Sequence, residues 1–143
     1  MPKVSRSLAA AVDPATVWEL AVSLPRVPEW NTMHEGFTGE VPDALTEGST
    51  YRQRAKLMGM PAEISWRVTA AEAPGRLELA GDGPMGVKTF QRWSITPSGD
   101  GTQVTLEMEF TGPSLVGPMA MMVEKQAGTA TQTSLARFGQ LLA

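Results

Sequence analysis

"TQVTLEMEFTGPSLVGPMAMMVEKQ", residues 102–126, changes its hydrophobic period once, and that change decides the fold. Through Phe110 the period is two. Val104, Leu106, Met108 and Phe110 fall on one side and Thr105, Glu107 and Glu109 on the other, as in a strand with one buried face. Past Pro113 the period becomes helical, and the spacing predicts a helix from about Gly117 to Leu142, about 39 Å long at 1.5 Å per residue. Its apolar stripe reads as Met119, Met122, Val123, Ala130, Phe138 and Leu141. A helix with such a stripe must bury it, and the surface at hand is the sheet that precedes it.

Upstream, the same period of two runs through "AEISWRVTA" at 62–70, where Ala62, Ile64, Trp66, Val68 and Ala70 share a face. "RLELAG" at 76–81 and "VKTFQRWSI" at 87–95 add two strands, and a further one begins at Tyr51. The connections "APG" (73–75), "GDGPMG" (81–86) and "PSGDGT" (97–102) are turn chemistry, the last reading as a hairpin loop. Near the start, "VDPATVWELAVSL" (12–24) opens a helix over about 14–23. Asp13 is a good N-cap and Pro14 suits the first helical position, where no N–H is needed. Val17, Leu20, Ala21 and Leu24 form its core face. Pro25 and Pro28 then break the chain, leaving room for a helical turn in "PEWNTM" (28–33). The expected architecture is α+β: a curved antiparallel sheet wrapped around a long C-terminal helix, with two short helices after the first strand. One domain spans 1–143, and a sheet gripping a helix in this way tends to leave a cavity.

Composition narrows the function classes. The chain has 143 residues, 42% hydrophobic and 19% charged, an ordinary balance for a globular domain. A net charge of −3 argues against nucleic acid as a partner, since such binders concentrate Lys and Arg. With no cysteine and one histidine there is no thiolate nucleophile, no disulfide and no multi-imidazole metal site, so neither metal nor cofactor is expected. No run approaches the ~20 apolar residues of a membrane span. The N-terminal "MPKVSRSLAAAV" leads into a helix start rather than a cleavage site, so the expected location is cytoplasmic, without stable membrane insertion.

"DPATVWEL" (13–20) followed by "LPRVPEWN" (24–31), long strands and a C-terminal helix resembles the START-like (SRPBCC) superfamily, whose helix-grip fold is shared with birch-pollen allergens and polyketide cyclase/dehydrase proteins. The match in element order covers essentially the whole chain. More closely, "EWNTMHEGF" (29–37), "KLMGMPAEISW" (56–66), "GDGPMGVK" (81–88) and "TGPSLVGPMAMMV" (111–123) resemble an actinobacterial subfamily named as toxins of toxin–antitoxin pairs. The resemblance implies a helix-grip fold with an interior pocket for lipids, polyketides or aromatic metabolites. It also implies two alternatives to simple binding: an aromatase/cyclase enzyme, or a growth-regulating toxin with an antitoxin protein as partner. The chain is expected as a monomer or homodimer.

The residues support a binding site on their own terms. Tyr51, Trp66, Trp93, Met108 and Phe110 lie on the apolar faces of their strands and are either core or the walls of a pocket for flat ligands. Met119 and Met122 on the helix would add an adaptable wall. Polar residues on predicted inner faces are Gln53, Thr89 and Gln91, with Gln126 one turn beyond Met122; buried, they must pair with each other, water or a ligand. Phe90 has the opposite parity to Trp93, so a bulge would reverse part of this assignment. Arg52, Arg54, Lys56, Arg67 and Arg92 fall on outer faces, whereas Arg6 shares the parity of Val4 and Leu8. Cyclases of the family use pocket arginines, which the central strands here do not supply. Trp30 is expected at the cavity mouth. His34, at the start of the following strand, is expected to be a polar ligand contact rather than a base, because neighbouring Glu35 points to the opposite face. No G-x-S-x-G or phosphate loop occurs, and no catalytic residue is assigned.

Overall fold

The computed structural model describes residues 2–57 and 60–143. Met1, Met58 and Gly59 (the last two within the 56–66 motif) and the side chain of Leu57 lie outside the described residues. Strand β1 (Lys3–Ala10) leads to α1 (Pro14–Val22), a 3-10 turn (Leu24–Arg26) and α2 (Val27–Trp30). Six strands follow: β2 (His34–Thr38), β3 (Thr50–Leu57), β4 (Met60–Glu72), β5 (Arg76–Asp82), β6 (Lys88–Ser98) and β7 (Gly101–Thr111). Helix α3 (Gly117–Leu141) closes the chain.

All seven strands form one antiparallel sheet in the order β1-β7-β6-β5-β4-β3-β2, so β1 pairs with the last strand while β2 forms the far edge. Register shifts between Val68 and Ala70 in β4 and between His34 and Gly36 in β2 put an extra residue on one strand, which sharpens the local twist and helps the sheet curl. Helix α3 packs against β1 and α2, and α1 packs against β6 and β7. The α+β helix-grip architecture expected from the period change is what the chain adopts; α1 and α3 end within a residue of the spacing, whereas β6 runs three residues past Ile95 to Ser98 and the helical turn ends at Trp30 rather than Met33.

Local chemistry explains the boundaries. The Asp13 carboxylate accepts from the Thr16 backbone N–H at 3.3 Å and from its hydroxyl, capping α1, with Pro14 at the first helical position. The Thr16 hydroxyl and then its amide hold the Asp13 carboxyl below the usual range. Strand β7 alternates strictly, with Val104, Leu106, Met108 and Phe110 buried and their neighbours half-exposed.

Helix α3 buries Val123 and Phe138 of the expected stripe but not its methionines. Its buried residues are Val123, Ala127, Gly128, Thr131, Ser134, Leu135 and Phe138, so the face against the sheet is made largely of small residues. Met119 and Met122 are 42% and 49% exposed. Close approach is what small residues permit. A Cβ on Gly128 would stand 2.6 Å from Nη2 of Arg6, which therefore lies across the helix on the inner side of β1, as its parity predicted.

Candidate functional site

The register sets the inner face in cross-sheet rows. Tyr51, Trp66, Gly81, Thr89 and Phe110 are successive partners across β3, β4, β5, β6 and β7. Val68, Leu79, Gln91, Met108 and Val4 form the next row, and Leu77, Trp93, Leu106 and Arg6 continue a third. Thr89 and Gln91 thus face inward with Trp93, and no bulge in β6 reverses them; Phe90 takes the outer face opposite Glu109. Gly81 is what the first row needs. A Cβ there would lie 2.7 Å from Cγ2 of Ile64 and 2.9 Å from both Cγ2 of Thr89 and Cε3 of Trp66. The three side chains occupy the space that any other residue at 81 would fill.

Between these rows, α2 and α3 lies a small, partly open cavity of ≈ 50 Å³. Of the residues predicted for the site, Trp30, Gln53, Trp66, Thr89, Gln91, Met108 and Phe110 line it. Tyr51 instead borders a smaller space of ≈ 20 Å³ that shares Trp30, Gln53 and Gln91 as its wall. Trp93 lies beneath, 1% exposed, and donates from Nε1 to Oε1 of Gln91 at 2.6 Å. His34 reaches the site only through Gln53. Met119, Met122 and Gln126 stand apart: all three are exposed, and Met122 and Gln126 border an external groove beside Thr32. The expectation that the methionines form a wall fails because Val123 and Ala127, not they, turn toward the sheet. The same rotation turns Thr131 and Ser134 into the cavity, two residues that hydropathy alone passes over. Their signal was present as small residues at i, i+4, i+8 and i+11 from Val123 (Ala127, Thr131, Ser134).

Trp30 is deeper than the mouth position expected of it. It is 4% exposed and meets Trp93 and Phe138 edge-to-face, with centroids 5.6 and 5.3 Å apart and planes at 89°. The two proline-bounded turns before it deliver the ring to the floor of the cavity. Two residues after it, Thr32 ties the chain to α3: its N–H donates to Ser134 Oγ at 3.0 Å, its hydroxyl donates to the Ala130 carbonyl at 3.3 Å, and the Thr32 and Ser134 hydroxyls lie 3.1 Å apart. Thr32 itself borders the external groove, while its partner Ser134 lines the interior cavity.

A polar chain runs along the wall. Trp66 Nε1 donates to Gln53 Oε1 at 2.9 Å, and Gln53 Nε2 lies 2.9 Å from His34 Nδ1. The indole can only donate, so it orients the amide with its oxygen toward Trp66. The amide nitrogen then donates to His34 Nδ1, which must be unprotonated, and the neutral ring carries its proton on Nε2. Burial depresses the His34 pKa in the same sense. Among the described residues no carboxylate pairs with His34, and Glu35 is exposed. Burial pushes the Tyr51 phenol up, far from a proton-accepting role at neutral pH. Lys56 is the one charged residue lining the cavity among those described, and its side chain is on the solvent side of β3. Arg92 pairs outside with Glu78 and Glu109, and Arg52 and Arg67 border an outer groove.

Comparison with known proteins agrees with this geometry. The family described as polyketide cyclase/dehydrase and lipid transport matches residues 1–143. A Mycobacterium tuberculosis protein named toxin Rv0910 is 30% identical over 138 residues, covering 96% of both chains. Rv1546 of the same organism, which carries no functional name, is also 30% identical over 141 residues and 99% of both chains. The fold is that of a START superfamily protein from Mycobacterium smegmatis, with a TM-score of 0.76 at 20% identity, covering 98% of this chain and 96% of that one. Among the described residues no helix is long and apolar enough to cross a membrane. By sequence over its full length and by its helix-grip structure, the chain belongs to the polyketide cyclase/dehydrase and lipid transport family.

Proposed function

We propose that this protein binds an apolar or aromatic small molecule between the concave sheet and α3, with binding rather than turnover as its primary event. The observation that carries the reading is the partly open cavity walled by Trp30, Trp66, Met108 and Phe110, with a few polar groups set among apolar ones. At ≈ 50 Å³ it has room for about three or four waters, well short of the roughly 300–1,000 Å³ that drug-sized ligands occupy. A lipid or polyketide therefore requires the site to widen. The contact such widening would strain is that of Thr32 with Ala130 and Ser134, three hydrogen bonds between a short loop and a helix.

Cyclisation of a poly-β-ketone gains less support. The central-strand arginines stand outside, His34 lacks a carboxylate partner, and Tyr51 is held protonated. A second reading, growth control through a protein partner, rests on the 30% identity to Rv0910. Rv1546 is as similar without that name, so the reading depends on expression of this chain alone arresting growth, with rescue by a neighbouring small protein.

The binding reading is tested by native mass spectrometry of freshly purified protein and by thermal shift against fatty acids, lipids and polycyclic aromatics. A ligand at 100 times its Kd is expected to stabilise the fold by about 2.7 kcal/mol, a rise in Tm of about 8 °C. No bound molecule and no shift across the panel would remove the proposal.

A further inference from the structure

Three buried side-chain polar atoms among the described residues have no hydrogen-bond partner in the protein: Trp30 Nε1, Thr89 Oγ1 and Thr131 Oγ1. Their residues are 4%, 2% and 2% exposed. They come from three different elements, α2, β6 and α3, yet all three line the same ≈ 50 Å³ cavity. Buried polar groups in folded proteins are overwhelmingly paired, so three unpaired groups converging on one space need a reason.

Neighbouring contacts hold them there. The Trp30 ring is pinned edge-on by Trp93 and Phe138, so its N–H cannot swing to solvent without breaking both contacts. The methyl of Thr89 fills the space over Gly81, which leaves its hydroxyl on another side of Cβ. Elsewhere the same fold pairs its buried hydroxyls: Thr102, 1% exposed, donates to the Val12 carbonyl at 2.6 Å. Ser134, one turn beyond Thr131, is taken up by Thr32.

The chemistry of the three groups selects their complement. An indole N–H only donates, so the ligand must present an acceptor to it, whereas a threonine hydroxyl donates or accepts. A carboxylate is disfavoured, because Lys56 stands toward solvent and a buried anion without a cation is costly. We propose that the ligand is an uncharged, mainly apolar molecule whose carbonyl or hydroxyl oxygen is held by Trp30 Nε1–H together with the Thr89 and Thr131 hydroxyls. This deepens, and rests on, the reading of the cavity as a binding site for apolar molecules.

Matched probes separate the two claims: acetophenone, ethylbenzene and benzoate share a ring and differ in the oxygen and the charge, with 2-acetylnaphthalene and 2-ethylnaphthalene as larger homologues. In titration calorimetry of the full chain, each ketone is expected to bind at least about tenfold more tightly than its hydrocarbon, the worth of one or two well-made hydrogen bonds. Benzoate is expected to bind more weakly than acetophenone. Thr131→Val and Thr89→Val keep the side-chain shape and are expected to shrink the ketone-to-hydrocarbon affinity ratio severalfold. Should a variant fail to fold, the wild-type chain still answers. The Trp30 indole N–H resonance, assigned by its loss in Trp30→Phe, is expected to move downfield with the ketone and to stay with the hydrocarbon. Equal binding of ketone and hydrocarbon, or tightest binding of benzoate, overturns the inference and leaves the apolar site standing. Failure of every probe to bind overturns the site along with it.

Discussion

Two ends of the same helix–sheet interface are built on opposite rules. At one, Leu77, Trp93, Val104 and Phe138 are at most 1% exposed, and the buried hydroxyl of Thr102 is paired to a backbone carbonyl. At the other, a row through Trp66, Gly81 and Thr89 faces α3 across open space, and the hydroxyls of Thr89 and Thr131 are unpaired. The first end resembles any well-packed core. The second gives up packing and leaves hydrogen-bonding groups without protein partners. On the proposed binding reading, a fold that satisfies Thr102 and leaves Thr131 unpaired keeps its stability at one end and its selectivity at the other.

Substitutions at the two ends sharpen the contrast. Phe138→Ala removes a fully buried ring from the packed end and is expected to cost about 3–5 kcal/mol in urea unfolding, the largest effect of the set. A loss below 1 kcal/mol would mean that this end is as yielding as the other. Gly81→Ala places a methyl against Ile64, Thr89 and Trp66 and is expected to cost about 1–3 kcal/mol while pushing Trp66 into the cavity and weakening ligand uptake. Unchanged uptake would show that the first row does not shape the site. Gln53→Leu strands the Trp66 indole N–H and is expected to cost about 1–2 kcal/mol, with a change in tryptophan fluorescence.

The smallest effect is a pH dependence. The folded state holds the His34 ring neutral, so its pKa lies below the unfolded value of about 6.5. Above that value both states are neutral and the contribution is complete. As pH falls below it the unfolded chain takes up the proton first, and stability declines until the folded pKa is passed. Tm of the wild type is therefore expected to fall more steeply than that of His34→Ala between pH 7 and pH 5. Parallel curves would show that burial does not disfavour the protonated ring.

Much of the architecture is legible from local pattern. Asp13 and Pro14 mark the start of α1 because capping depends on a few neighbouring atoms. Strand parity places Gln53, Thr89 and Gln91 inward because a pleat alternates whatever lies beyond it. Arg6 and the outward arginines follow the same rule. The face of α3 does not, because several rotations of a helix rich in Met, Ala and Thr bury comparable apolar area. Met119 and Met122 carry the hydropathy, but Ala127, Gly128 and Thr131 allow the closer approach to β1, and Gly128 alone makes room for Arg6.

Local pattern therefore settles the order of elements, the inner faces of β3, β6, β7 and of β4 as far as Val68, and the family; past Val68 the bulge puts Ala71 rather than Ala70 opposite Leu77. These properties are periodic, or are written in neighbouring residues. The tertiary structure alone decided which face of α3 meets the sheet, how deep Trp30 sits, that His34 is a neutral acceptor at the end of a Trp66–Gln53 chain, and that three unpaired polar atoms share one cavity. Each of these depends on groups brought together from distant positions: 30, 89 and 131 meet only because the sheet curls around the helix.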